Sequence, residues 1–314
     1  MFAIFIKILS IFSIVLIGFV ANKLNWLPYE SGKHISKILL NISTPCLIWY
    51  SMSDQKMSAD TFHPMIEVLI WTFIVLAACS IISIPIVKAM QVPKEDRGIY
   101  RLLIICTNSG FIGFPLAYAV FGNEGLFLMI IANAGFGIFV FSAGVFLLLY
   151  ESDRNTKSFK VLVKSIISVP MIAAVSGLAI FLFNVTFPEP VEYMLSTVGG
   201  MTTPLSMLLI GIQLPGIKIR QMIKDIPLLL SAVMRVALVP AAIFVVLINF
   251  HLTPLVLCIV VFLMAMPSAA IVVILSEEYN LNTRLASQGV LLTTFFSLGT
   301  IPVTSMLLTV YLMG

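Results

Sequence analysis

Long runs of apolar residues, separated by short polar connections, recur along the whole chain. A run of about 20 apolar residues can cross the hydrocarbon core of a bilayer, roughly 30 Å thick, as one helix. The pattern predicts ten such helices, called spans 1 to 10, at residues 3–21, 34–52, 64–88, 101–121, 125–150, 161–184, 191–213, 226–250, 254–276 and 286–313. Connection 1 joins spans 1 and 2, and later connections are numbered likewise. No connection is long enough for a soluble domain, so we do not expect an enzyme.

The composition agrees with a multi-pass membrane protein. Hydrophobic residues make up 60% of the 314 and charged residues 10%, with a mean hydropathy of +1.10, whereas a soluble protein needs more polar surface. Span 1 lacks the basic start and the cleavage site of a signal peptide, so it is expected to be a mature helix. The four cysteines lie within predicted spans and show no metal-site spacing. We therefore expect buried thiols, with no metal and no cofactor.

The basic residues are distributed unevenly between the connections. Fifteen of the 18 lysines and arginines lie in or beside odd-numbered connections, whereas only Lys56 lies in an even-numbered one. Lysine and arginine accumulate on the cytoplasmic side of membrane proteins. The odd-numbered connections are therefore expected inside and both chain termini outside. Because these charges follow the topology and form no contiguous patch, a nucleic-acid partner is not expected.

The chain divides into two halves of five spans each. The most charged connection, 151–160, separates a first repeat at 1–150 from a second at 161–314. An odd number of spans per half means that two repeats must lie in the membrane in opposite orientations. The fold class expected is thus an all-helical membrane protein of two inverted repeats.

Two landmarks support the repeat. Gly18 precedes Pro45 by 27 residues, and Gly177 precedes Pro204 by the same interval. Each proline also ends a similar triplet, Ser-Thr-Pro in the first half and Thr-Thr-Pro in the second. The interval alone could arise by chance, but the shared triplet favours a true repeat.

A second pair of prolines, Pro115 and Pro267, lies about halfway along spans 4 and 9. Proline removes a backbone donor and clashes with the preceding turn, so each helix is expected to break or kink. An ordinary proline kink is the structural alternative. Interrupted helices at matching positions of two halves are, however, the best sequence indicator of a transporter's binding site.

The half-helices that follow such breaks would begin near the middle of the membrane. A helix N-terminus carries about half a positive charge and several unbonded N–H groups, so two of them can bind an anion. Asn108, Ser109 and Ser268 lie beside the breaks and add neutral polar groups. The alternative role for Asn108 is to satisfy a carbonyl group that the proline has freed.

Arg235 is the ionisable residue predicted deepest in the membrane. It lies 11 residues after Lys224, which corresponds to about 16 Å of helix rise. An arginine at this depth must face a cavity or a partner. A structural clamp on carbonyl groups and a place on the anion path both remain open. Lys7 and Glu67 lie nearer a boundary and are expected to extend to the interface.

No acidic residue lies mid-membrane in the predicted spans, which argues against a carboxylate proton relay or sodium cage. The chain also lacks a Walker-type phosphate loop and the helix-borne H-E-x-x-H motif of metalloproteases. These absences disfavour an ATP-driven pump and an intramembrane protease.

The residues around both breaks resemble the auxin efflux carrier family. Asn108-Ser-Gly-Phe-Ile-Gly-Phe-Pro115 is similar to the family's crossover in helix 4, where an asparagine precedes the proline by seven residues. Ala265-Met-Pro-Ser-Ala269 and the following Ser276-Glu-Glu-Tyr-Asn280 are similar to its helix 9 crossover and the turn after it. Pro204-Leu-Ser-Met-Leu-Leu-Ile-Gly-Ile-Gln-Leu214 resembles its helix 7. The resemblance covers essentially the whole chain.

The resemblance implies ten helices in two inverted repeats, a fold shared with sodium–bile acid symporters and sodium–proton antiporters. Spans 1, 2, 6 and 7 would form a scaffold, and spans 3–5 and 8–10 a transport part that moves like an elevator. The implied substrates are carboxylates, such as auxin in plants and malate or malonate in some bacteria. Asn108, Pro115 and Pro267 are the site residues carried over, whereas Ser109 and Ser268 follow from their positions.

The long connection 5 of the plant carriers is missing, which suggests a compact prokaryotic permease in the cell membrane. A carboxylate transporter, with a proton or sodium as coupling ion and a homodimer left open, is the first hypothesis. The second is a membrane-embedded sensor or scaffold that binds a small ligand without flux. The lack of a soluble output domain favours transport.

The charge distribution makes a direct prediction about the termini. Reporter domains fused at either end should be active only outside the cytoplasm, because the opposite orientation would place 15 of the 18 basic residues on the wrong side. Paired reporters, one active in the cytoplasm and one outside it, measure this. Cytoplasmic activity at either end would contradict the orientation or the even number of spans.

Overall fold

The structure is a computed structural model that describes residues 2–150, 169–216 and 222–313. Within these ranges all regular structure is helical. The helices are α1 (Phe2–Lys23), α2 (Ser31–Ile38), α3 (Thr44–Asp54), α4 (Ala59–Ala89), α5 (Lys94–Ile105), α6 (Phe114–Phe139), α7 (Val145–Leu149), α8 (Val169–Leu182), α9 (Glu189–Gly200), α10 (Thr202–Gln213), α11 (Ile226–Val233), α12 (Val239–Leu247), α13 (Pro254–Ala265), α14 (Ile271–Glu278) and α15 (Thr283–Met313). The connection predicted at 151–160 lies outside the described residues.

The helices include several that are suited to a membrane. Among the described residues, five continuous helical segments are long and apolar enough to cross a membrane: Asp60–Ala89, Ser109–Leu149, Glu189–Gln213, Ile226–Leu247 and Thr283–Met313. Shorter apolar helices occupy Ser10–Lys23, Val169–Leu182 and Pro254–Ala265. The prediction of an all-helical, multi-pass membrane protein is thereby confirmed. The longest segment has non-helical backbone at Gly122, with φ 72° and ψ −162°, where the sequence predicts the turn between spans 4 and 5.

Wide π-helical turns interrupt the helices at regular places. Three of those in the described ranges, Leu39–Ser43, Ser109–Gly113 and Met234–Leu238, end two residues before Pro45, Pro115 and Pro240. Proline has no N–H to donate and its ring crowds the carbonyl group four residues earlier. A wider turn relieves that contact. These prolines therefore widen their helices without ending them.

Two spans are fully broken near their middle. α5 ends at Ile105, the backbone is extended at Cys106, and helical structure resumes at Ser109. α13 ends at Ala265, and α14 begins at Ile271 after an extended segment that contains Pro267. The break in span 9 therefore lies at its proline, as predicted.

The break in span 4 does not lie at its proline, contrary to the prediction. Pro115 occupies the first turn of α6, where a missing N–H removes no intrahelical bond. The non-helical residues come earlier, at Cys106–Asn108. The half-helix that follows the break therefore starts at Ser109, six residues before Pro115.

The helices pack in two groups. In the first group, α1 lies against α10, and α3 lies against α8 and α9. In the second group, α4 packs on α6, α13 on both α6 and α15, and α11 on α15. Contacts of α6 with α3 and α10, and of α1 with α15, join the groups.

The close contact between α1 and α10 depends on two glycines. A Cβ atom on Gly18 would overlap the carbonyl oxygen of Leu208, and one on Gly211 would overlap the carbonyl oxygen of Val15. Small residues let membrane helices approach backbone to backbone. Any side chain here would force the two helices apart.

We therefore expect Gly211→Ala to destabilise the protein. The added methyl group would meet only backbone atoms, which cannot rotate away, and overpacking of this kind costs about 1–3 kcal/mol. Thermal unfolding in detergent measures the change. Gly200→Ala is the matched control, because nothing lies within 4 Å of its added Cβ atom. Equal unfolding midpoints for the two variants would contradict the close contact.

Candidate functional site

The two broken helices cross at their extended segments. Thr107 and Ser268 form an isolated antiparallel bridge. The N–H of Asn108 donates to the carbonyl oxygen of Pro267 at 2.8 Å, and the N–H of Ala269 donates to that of Cys106 at 3.3 Å. Each segment thus supplies the backbone partners that the other lost when its helix ended.

Two hydroxyl groups reinforce this crossing in a nearly symmetric way. Thr107 donates through Oγ1 to the carbonyl oxygen of Leu263, and Ser268 donates through Oγ to that of Leu103, both at 2.5 Å. Each hydroxyl therefore reaches the last turn of the opposite half-helix, where carbonyl groups lack intrahelical partners. The N–H of Ser268 also donates to Oγ1 of Thr293 at 3.1 Å.

Both hydrogen-bond donors of Ser268 are consequently used within the protein. Its side chain is fully buried, and both its N–H and its hydroxyl donate to other residues. The sequence predicts Ser268 as a ligand donor, whereas the geometry shows it holding the crossing together.

Arg235 lies fully buried next to the crossing. Its Nε donates to the carbonyl oxygen of Met266 at 2.9 Å, and its Nη1 donates to those of Ile104 and Ile105 at 3.0 and 3.1 Å. These carbonyl groups lie where α5 and α13 end. The C-terminal end of a helix carries partial negative charge, so the guanidinium is placed between two negative helix ends.

The half-helices that follow the two breaks begin with backbone N–H groups that make no hydrogen bond to any described residue. The N–H groups of Ile112 and Gly113 share the carbonyl oxygen of Asn108. Within the described residues, no hydrogen bond is donated by the N–H of Gly110 or Ala270. Nothing lies within 4 Å of a Cβ atom built on Gly110, and Ala270 is exposed. The two ends therefore face open space.

Asn108 lies beside these free donors. Its side chain is partly exposed, and its amide makes no hydrogen bond with other residues in the described part of the chain. The amide therefore does not satisfy a carbonyl group freed by a proline, which was the structural alternative. It remains available to a ligand.

Ser109 brings a second amide to the site. Its hydroxyl donates to Oδ1 of Asn133 in α6 at 2.5 Å, and it is itself almost fully buried. Because the oxygen of Asn133 is occupied, its NH₂ group is the part left for other partners. Asn133 was not singled out from the sequence. The available signal was an isolated amide within an apolar span, where it is costly without a partner.

The two prolines have different positions. Pro267 belongs to the crossing, where its carbonyl oxygen accepts the bond from Asn108. Pro115 lies further along α6, and its carbonyl oxygen accepts a bond of 3.3 Å from the hydroxyl of Thr203 in α10. The structure therefore brings together Asn108, Ser109, Pro267 and Ser268 but leaves Pro115 outside the crossing.

Glu67 has a specific partner near the start of α13. Its two carboxylate oxygens accept from the N–H of Thr253 at 3.2 and 3.3 Å, so it stabilises the positive end of that helix. The prediction that Glu67 simply extends to the interface missed this contact. Among described residues, no cluster of three or more His, Cys, Asp or Glu side chains could hold a metal ion.

The chain is similar in sequence to known membrane transport proteins. A family model described as membrane transport protein matches residues 3–305. An uncharacterized transporter of Methanothermobacter thermautotrophicus is 25% identical over 309 residues, covering 96% of this chain and 97% of its own. An uncharacterized transporter of Methanocaldococcus jannaschii is 24% identical over 297 residues, covering 93% and 94%.

The contacts of Arg235 predict a large effect of its removal. Arg235→Met should lower the free energy of unfolding by at least about 3 kcal/mol, because three buried carbonyl groups lose a charged donor and each such bond contributes about 1.5–3 kcal/mol. Arg235→Lys should be intermediate, since lysine keeps the charge but not the planar fork. Expression and unfolding in detergent measure both.

The matched control is Arg284→Met, which removes an exposed guanidinium. We expect it to unfold within about 0.5 kcal/mol of the wild type, as surface substitutions usually do. Wild-type stability of Arg235→Met would contradict the clamp.

Proposed function

Because the chain belongs to the membrane transport protein family of the auxin efflux carriers, we propose that it is a secondary transporter that carries a small organic anion across the cell membrane. The observation that carries this proposal is the pair of unbonded helix N-termini at Gly110 and Ala270, next to the free amide of Asn108. Where protein and lipid exclude most water, this positive potential is less screened than at a surface.

A carboxylate fits these donors best. Its two oxygens can accept several N–H bonds at once, and the two positive helix ends would repel an amine. Asn108, Ser109 and the NH₂ group of Asn133 would orient the ligand. Malate, malonate or an auxin-like monocarboxylate are the candidates, driven by a proton or a sodium ion.

Arg235 and Ser268 would then hold the site open without touching the ligand. Nη2 of Arg235 is buried and has no hydrogen-bond partner within the described residues, but the bonds that Nε and Nη1 donate all go to the C-terminal ends of the half-helices. This supports the clamp over a place on the anion path.

Hydrogen bonds between connections support the ten-span topology with both termini outside. Connection 2 bonds to connection 4 through Asp54 and Asn123, and to connection 6 through Met57 and Asn184. In an alternating topology, even-numbered connections share one side of the membrane. These contacts are compatible with that topology.

Odd-numbered connections also lie together. The amide of Asn282 in connection 9 donates to Asp96 near connection 3 at 3.5 Å. Burial raises the pKa of the Asp96 carboxyl, the Asn282 amide lowers it, and the nearby carboxylates of Glu95 and Asp225 raise it. Asp225 belongs to connection 7, so three odd-numbered connections meet.

Reciprocal contacts support the inverted repeat. Gly18 of span 1 packs on span 7, and Gly177 of span 6 packs on Ile48 and Met52 of span 2. Span 1 thus contacts span 7 of the other half, and span 6, the equivalent of span 1, contacts span 2, the equivalent of span 7. The two packing groups likewise match the proposed scaffold and transport parts, as an elevator-type movement requires.

A ligand-binding sensor or scaffold without flux is the alternative. Counterflow of labelled carboxylates in proteoliposomes separates the two, because a sensor binds its ligand but does not exchange it. A screen of mono- and dicarboxylates by thermal shift would first identify the ligand. Binding without exchange for every carboxylate that binds would contradict transport.

Asn108 provides the sharpest test of the site. Asn108→Ala should weaken binding by about 1–3 kcal/mol, a roughly 5- to 150-fold rise in Kd, because a hydrogen bond to a charged group is lost. Asn108→Asp should be worse, since it sets a negative charge against the ligand. Isothermal titration in detergent measures both.

Asn249→Ala is the control, because Asn249 is exposed and bonds only within its own helix end. A folded Asn108→Asp variant that binds and transports a carboxylate like the wild type would show that the site lies elsewhere.

A further inference from the structure

One hydrogen bond joins the two helix groups at the side of the molecule where connections 2 and 4 lie. Nδ2 of Asn123 donates to Oδ2 of Asp54 at 2.6 Å. Asp54 is the last residue of α3, in the first group, and Asn123 directly follows the non-helical Gly122 of the second group. Bonds with an ionised partner are shorter and stronger than neutral ones.

The bond is one of several contacts between the two groups on this side. The half-helix that starts at Ser109 touches the first group at three levels. Phe111 packs against an apolar cluster that α2 and α10 build, and Pro115 accepts the bond from Thr203. Asn123 makes the outermost contact. These contacts therefore join the two groups on the Asp54 side.

We infer that the Asn123–Asp54 hydrogen bond is a latch that holds this side of the transporter closed and must break each time the site opens there. The inference rests on the proposed function. A movement of the second group along the first cannot keep two short side chains in contact, because a hydrogen bond is lost beyond about 3.5 Å. The bond must therefore separate when the site changes sides.

The geometry around Asn123 fits a contact that is made and broken. Its Oδ1 is buried and has no hydrogen-bond partner within the described residues, so the closed state leaves one polar atom unsatisfied. Gly122 adopts φ 72°, which a residue with a side chain adopts only with strain. The turn thus directs Asn123 towards Asp54 without satisfying it completely.

Access to the site can be measured without knowing the substrate. Gly110→Cys places a thiol in open space beside the crossing, in a background where the four native cysteines are alanine. A membrane-impermeant maleimide is applied from each side, to intact cells and to inverted vesicles. Asp54→Cys with Asn123→Cys is then locked by oxidation, or by Cd²⁺, and mass spectrometry counts the bridged molecules.

We expect the locked protein to be labelled at position 110 from the opposite side only, and labelling from both sides to return on reduction. Met57→Cys with Asn184→Cys is the matched control, because that pair lies on the same side but within the first group. Its bridge should leave labelling from both sides intact.

Labelling from both sides while the Asp54–Asn123 bridge is complete would overturn the latch. So would failure of the pair to bridge under either condition. Labelling from one side only, in every unlocked variant, would instead contradict alternating access and thus the proposed function.

The single variant Asn123→Ala gives a second measurement. Loss of a charge-assisted bond should raise the rate of labelling from the Asp54 side by about 10-fold or more. An unchanged rate in a folded protein would overturn the latch.

Discussion

A broken helix inside a membrane leaves backbone donors and acceptors without water, and each unsatisfied group costs several kcal/mol. The rest of this structure depends on how that cost is met. The segment around Thr107 pairs with the segment around Ser268, and their hydroxyls reach the opposite half-helix ends. Arg235 binds the carbonyl groups that remain where α5 and α13 end. The carbonyl groups on one side of the crossing are thereby satisfied from within the protein.

The other side of the crossing is left with donors and no acceptors. The N-termini at Gly110 and Ala270 face open space, and the amide of Asn108 lies beside them. A protein that needed only stability would have paired these groups as well. The asymmetry is what an anion-binding site requires, because a ligand can supply the missing acceptors. In the proposed site the buried guanidinium would serve the ligand indirectly, by neutralising the helix ends that would repel it.

Much of this could be predicted from sequence, because the membrane restricts the backbone to helices and makes their interruptions conspicuous. The all-helical fold, the break at Pro267 and the burial of Arg235 follow from hydropathy, proline chemistry and the cost of an exposed charge in a membrane. The break in span 4 was misplaced because Pro115 fits the first turn of α6, so the nearby proline did not mark the extended residues. The engagement of Ser268 and the pairing of Ser109 with Asn133 join residues distant in the chain. Such contacts depend on tertiary packing, and the sequence alone does not show which residues pair.

The central claim is that a carboxylate binds to the free donors while Arg235 stays with the helix ends. The most direct measurement is a cryo-EM map of the protein in nanodiscs with a carboxylate that supports counterflow. The account predicts ligand density within hydrogen-bond distance of the Asn108 amide and the N–H of Gly110, with Arg235 still bonded to Met266, Ile104 and Ile105. Ligand density against the Arg235 guanidinium, or a bound ligand remote from the crossing, would contradict it.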